Sequence, residues 1–232
     1  MSAQTNRTEL RSGKIEEASS LDSEWMSYRT AYMQMIRFEK YSKPKHLIQS
    51  HFQIVPKDSH TSIEGVRLTL LDSSSSLNLP LDATGRAVFP FLKSAYDNNA
   101  RLVLDRKQNL YSLQARVSIT PRSDGIYEAA DLQAACEQVL QYLRYIGKPS
   151  IQDKKCIGIR FSYPRNVVEP IVKFRIHDLQ TPLAAGEGSA FQDTAAITYK
   201  TVDYLFSDWP DKGQIVTQSM SAAIAPIFQP QQ

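Results

Sequence analysis

Apolar residues along this chain fall into two spacings. Trp25, Tyr28, Tyr32, Met35 and Ile36 recur three and four residues apart, the repeat of one face of an α-helix, and Met26, Met33 and Phe38 widen that face. The pattern predicts a helix over residues 23–41, with Asp22 or Ser23 as N-cap and Pro44 beyond its end. A second stripe, Leu132, Cys136, Val139, Leu140, Leu143 and Ile146, predicts a helix over 129–146. Glu128 and Asp131 lie near its positive end, where carboxylates are favoured, and Gly147-Lys148-Pro149 stops it.

Elsewhere the period drops to two. Strands are predicted over 47–55, 66–70, 87–92, 101–105 and 111–119. In the last of these Tyr111, Leu113, Ala115, Val117 and Ile119 alternate with Ser112, Gln114, Arg116 and Ser118, which predicts one buried face and one wet face. Residues 80–86 read as a turn, with Asp82 bonding backbone amides ahead of it and Gly85 free to take positive φ. After the second helix, strands over 156–163 and 171–177 flank a loop containing Pro164 and Pro170 and suggest a hairpin. Further strands are expected over 197–206 and 215–218, and the stretch after Pro226 is expected to be an exposed tail.

Runs of strands separated by single helices imply an α+β, mostly β fold: an antiparallel β-sandwich with an N-terminal amphipathic helix, then a second helix-plus-strands region. The expected organisation is a flexible leader over 1–20, a helix with a sandwich-like domain over 21–120, an α+β region over 121–226 and a tail over 227–232. Two features give 46–120 a family likeness. One is a strand entered through glycine, Ile63-Glu64-Gly65-Val66-Arg67-Leu68-Thr69-Leu70; the other is the turn at 82–85 followed by Arg86-Ala87-Val88-Phe89-Pro90-Phe91-Leu92. This segment resembles the carboxypeptidase regulatory-like or transthyretin-like β-sandwich modules of exported proteins. The resemblance implies a structural or binding role and carries no functional residue onto this chain.

Composition narrows the class further. With 42% hydrophobic and 22% charged residues among 232, the chain has the balance of a folded globular protein. No apolar run approaches the roughly 20 residues needed to cross a bilayer, so no transmembrane segment is expected. Residues 1–14 are polar and lack the apolar stretch of a secretory signal. The two cysteines, Cys136 and Cys156, suit either one disulfide or two reduced thiols; the first lies on the second helix and the second opens the strand after it. A bridge would favour a periplasmic or secreted location. A net charge of +3 and a pI near 8.8 fall short of a dedicated nucleic-acid binder.

Motifs for chemistry are sparse. His46 and His51 are an odd number of residues apart on one strand and so face opposite ways, and neither His60 nor His177 joins them in a metal-ligand spacing. Ser59 and His60 are adjacent and point apart in an extended chain, and Gly186-Glu187-Gly188 is not followed by the lysine of a phosphate loop. No catalytic, metal or cofactor site is expected. Asp82, Glu128, Asp131 and Glu39 read as turn, helix-start and solvent-facing carboxylates. The one directional feature is the expected hairpin near Pro164: Arg160 on one strand, with Lys173, Arg175 and His177 on the other, would share one side as a polyanion-binding face.

The reading that follows is a non-enzymatic accessory or binding protein of the bacterial cell envelope. It would contact a protein or anionic polymer through a wide, shallow, partly apolar or basic surface. The alternatives are an envelope polysaccharide or peptide hydrolase with dispersed carboxylates, and a basic polyanion-binding module.

Overall fold

The computed structural model describes residues 26–73, 75–166, 168–194 and 196–231. The expected leader, the caps at Asp22 and Ser23, and Trp25 lie outside them. The first helix, α1 (Tyr28–Glu39), starts later than its pattern predicts, because Ser27 is the residue that caps it: its hydroxyl accepts the Thr30 amide at 3.1 Å. Its buried stripe is Tyr28, Ala31, Met35 and Phe38, and Met33, counted above with the apolar face, points outward at 53% exposure.

The fold is mostly β, as expected, in four antiparallel sheets. The first pairs β1 (Ile48–Pro56) with the two-residue β4 (Arg86–Ala87) and with β6 (Tyr111–Ile119); the second runs β3 (Ser76–Leu79), β2 (Leu68–Leu71), β5 (Arg101–Leu104). Leu68 and Leu70 of β2 and Leu102 and Leu104 of β5 close onto Phe52 and Ile54 of β1, giving a sandwich-like core that Tyr28 and Met35 cap. The strand expected over 87–92 is reduced to β4. Pro90 has no amide to pair, and the Tyr28 hydroxyl takes the neighbouring groups instead, donating to the Pro90 carbonyl at 2.6 Å and accepting the Leu92 amide at 3.0 Å. A short helix, α2 (Lys93–Asp97), follows. The turn at 82–85 forms as its residues imply: Asp82 accepts the amides of Thr84 and Arg86 at 2.8 and 3.0 Å. Gly85 has φ +77°, and a side chain there would also press on the Ile54 carbonyl.

The second half winds two four-stranded sheets around α3 (Ala129–Tyr145). One contains β7 (Ile126–Glu128), β9 (Val172–Ile176), β10 (Leu179–Pro182) and β13 (Gln214–Thr217) in the order β10-β9-β13-β7. The other is ordered β11-β12-β8-β14, from β11 (Ala185–Gly188), β12 (Tyr199–Leu205), β8 (Lys154–Tyr163) and β14 (Ala223–Pro230). Leu132, Val139 and Tyr142 of α3 pack on Ile159, Phe161 and Tyr204, and the Ile48, Val117 and Ile119 end of the β1–β6 ribbon joins the same core. The ribbon therefore belongs to both cores.

Two expectations are overturned here. The strands flanking Pro164 do not form a hairpin: β8 pairs with β12 and β14, while β9 pairs with β10 and β13 in another sheet. The loop between them, with prolines at both ends, is long enough to carry the chain from one sheet to the next. The tight hairpin lies one strand later, where His177 and Asp178 turn between β9 and β10, His177 at φ +50°. The stretch after Pro226 is not a free tail, since β14 runs on to Pro230 along β8 and Ile227 is buried. Pro226 is tolerated because, among the described residues, β14 is an edge strand paired with β8 alone.

Candidate functional site

The residues of the expected polyanion-binding face are divided between sheets. Arg160 on β8 faces Asp203 on β12 and binds it with two bonds, Nε to Oδ1 at 2.8 Å and NH2 to Oδ2 at 2.7 Å. Its remaining nitrogen donates to the Ser189 carbonyl at 3.1 Å. Lys173 and Arg175 do share a face of β9, where Lys173 reaches Gln180 and Arg175 donates to Gln214. His177 is exposed in the turn beyond them. Arg160 thus does not join Lys173 and Arg175, and its charge is already matched.

A different basic surface does assemble on α1. Burial of Tyr28, Ala31, Met35 and Phe38 turns the complementary stripe outward, and Arg29, Met33, Arg37 and Lys40 follow one another along it at helical spacing. With Tyr96 of α2 at one end and Tyr145 of α3 at the other, they line a wide, shallow groove of about 660 Å³ with no acidic residue among the described residues of its lining. The guanidinium of Arg29 lies 5.5 Å from the Tyr96 ring centre and donates to the Tyr96 and Asp97 carbonyls at 2.7 and 2.8 Å. Arg37 lies 5.2 Å from the Tyr145 ring centre and donates to the Tyr145 carbonyl at 3.1 Å. The two arginines are therefore held in place by neutral acceptors and aromatic faces, which leave their charge uncompensated.

The opposite use of charge is found on the β1–β6 ribbon. Cross-strand register places His51 opposite Arg116, Gln49 opposite Ser118 and Gln53 opposite Gln114, so these polar residues share the face expected to be wet. The face is not wet: His51, Gln53, Arg116 and Ser118 are all buried, covered by the segment that carries Phe191 and by residues near Ala222. Arg86 crosses this seam, pairing with Asp82 at 2.7 Å and donating to Ser118 at 3.1 Å and to the Ala222 carbonyl; its NH1 also lies 3.3 Å from His51 Nε2. Arg116 donates to Gln53 at 2.9 Å and to Asp193 at 2.5 Å, and Lys148 takes the other oxygen of Asp193 at 2.7 Å. The Phe191 ring lies over Arg116 at 4.5 Å and Arg86 at 5.8 Å.

These neighbours set the protonation of the seam. Burial first, then the charges of Arg86 and Arg116, push His51 down to about 3, so it is neutral at physiological pH. Burial alone would raise the Asp193 carboxyl, but Arg116 and Lys148 outweigh it and hold the group low. Asp58, Asp72 and Asp124 are likewise held low, the first chiefly by the His60 amide, the second by the Asn98 side chain, the third by Arg122. A proton-donating carboxyl group requires the opposite displacement.

The cysteines do meet. Cys136 of α3 and Cys156 of β8 form a disulfide with Cα atoms 6.0 Å apart. Among the described residues no three histidine, cysteine or acidic side chains gather as metal ligands, and no helix is long and apolar enough to cross a membrane. Comparison with protein-family models, with characterised proteins and with solved structures finds no match. The α1 groove and the buried seam both escaped the sequence reading. The signal for the groove was present in the spacing of Arg29, Arg37 and Lys40, which excludes the buried stripe.

Proposed function

We propose that this chain is a non-enzymatic accessory or binding protein of the bacterial cell envelope that docks an acidic, partly apolar segment of a partner protein in the α1 groove. The observation that carries the reading is the groove itself: Arg29, Arg37 and Lys40 lie beside Met33, Tyr96 and Tyr145, with no carboxylate among the described lining residues. Charge complementarity selects an acidic partner, and the aromatic and methionine surface favours one that also offers apolar anchors. Lys40 has no ion-pair or side-chain hydrogen-bond partner among the described residues, and the two arginines spend their bonds on carbonyl oxygens. The Cys136–Cys156 bridge supports an oxidising compartment.

A fluorescein-labelled peptide alternating glutamate with leucine provides the test, read by anisotropy against its glutamine counterpart. The expected result is saturable binding of the acidic peptide alone, weakened about tenfold or more by Arg37→Glu and by raising salt from 50 to 300 mM, values chosen to span strong and weak screening. Equal binding of the two peptides, or indifference to Arg37→Glu, would overturn the reading.

A further inference from the structure

A second concavity, sharing no lining residue with the α1 groove, lies where α3, β6, β14 and the Phe191–Asp193 segment converge. Its volume is about 150 Å³. Val139 and Leu143 of α3, Ile151 of the following turn, Pro226 and Phe228 of β14, and Phe191 supply apolar walls. Into this setting come Arg116, Lys148 and Lys154 against, among the described residues, a single carboxylate, Asp193.

The cleft is preformed. Gln192 fastens one wall to β14, donating to the Phe228 carbonyl at 3.2 Å and accepting the Phe228 amide at 2.9 Å. Asp193 is fixed on its other side by Arg116 and Lys148. Lys154 is different: its backbone carbonyl accepts from Arg144, and the residue is half-buried, but its ammonium has neither an ion pair nor a hydrogen-bond acceptor among the described residues. A free ammonium beside an apolar cleft of fixed walls is the arrangement that orients a small amphipathic anion.

We infer that this cleft binds a small monocarboxylate with a compact apolar body, the carboxylate pairing with Lys154 and Lys148 and the body lying against Val139, Leu143, Ile151 and Phe228. The size supports one aromatic ring or a short alkyl chain, since a dry cavity of about 150 Å³ accommodates benzene. The charge supports a monoanion. Three cations against Asp193 leave an excess that one carboxylate reduces, whereas a second acid on the ligand would meet either Asp193 or the apolar walls.

Isothermal titration of the full chain with benzoate and with hexanoate tests this, with benzyl alcohol and adipate as controls for the charge and for a second charge. The expected result is saturable binding of at least one monocarboxylate, weaker by roughly tenfold for the alcohol, for adipate and for Lys154→Gln. Leu143→Trp, which fills the cleft, is expected to abolish binding. Absence of saturable binding by both monocarboxylates would overturn the inference, as would unchanged affinity in Lys154→Gln. The latter variant alters a side chain that makes no ion pair or hydrogen bond among the described residues, so it remains decisive if Leu143→Trp fails to fold. Peptide binding in the α1 groove is unaffected by either outcome.

Discussion

The arginines of the seam and those of the α1 groove are both stacked on aromatic rings, yet they meet different partners. Arg86 and Arg116, at 8% and 7% exposure, each hold a carboxylate, Asp82 or Asp193. Arg29 and Arg37 lie in the open, and among the described residues their hydrogen bonds go to backbone carbonyls. The difference follows from solvent. A guanidinium withdrawn from water loses hydration that only a counter-charge and a full set of acceptors replace, whereas one at the surface keeps its hydration and can leave its charge available. Positive charge in the seam therefore joins the two halves of the molecule, and positive charge in the groove is free to meet another one.

The contrast is breakable at both ends. The largest effect is expected from Arg86→Leu, which removes the guanidinium from the second carboxylate oxygen of Asp82, from Ser118 and from the Ala222 carbonyl. Urea denaturation should show a loss of about 3–5 kcal/mol. A loss under about 1 kcal/mol would mean that water replaces the guanidinium and that the seam is not sealed.

His51 sharpens the comparison through pH. Its folded pKa, about 3, lies below the unfolded value near 6.5, so the unfolded chain binds the extra proton between these values. Stability from this residue is complete above pH 6.5 and declines as pH falls toward 3. Between pH 7 and pH 4.5 the native chain should lose roughly 2–3 kcal/mol more than His51→Gln, which keeps a polar side chain of similar reach but does not titrate there. Parallel pH profiles would place water at the ring.

The smallest effect is expected in the groove. Arg37→Glu should change unfolding stability by no more than about 0.5 kcal/mol, because the side chain is exposed and makes no ion pair among the described residues. A loss of several kcal/mol would make Arg37 a structural bond like Arg86 and remove its claim to a partner.

Much of the architecture was legible along the chain. The stripe from Leu132 to Leu143 and the alternation over 111–119 marked α3 and β6 to within a residue at each end, since a helix or strand with one apolar side writes its period into its own residues. The Asp82 turn was legible for the same local reason, its bonds spanning only four residues. Short strands such as β3, β10 and β11 left no such record; Gly186-Glu187-Gly188 in β11 is a strand only because β12 offers it a ladder. The partner of a strand is equally unwritten, and for that reason two prolines and two neighbouring strands suggested a hairpin that the fold does not make.

The polar side of β6 shows the same division at a single site. Ser112, Gln114, Arg116 and Ser118 determined that one side of the strand would be polar, because alternation is a local property. Whether that side met water or protein depended on Phe191 and Ala222, about 75 and 105 residues from Arg116 in the chain, and on Asp193 arriving to match the charge. Polarity reads as exposure until a distant segment brings the counter-charge that makes burial affordable. The same packing, by burying one stripe of α1, decided which of its residues would be left facing outward with their charge unspent.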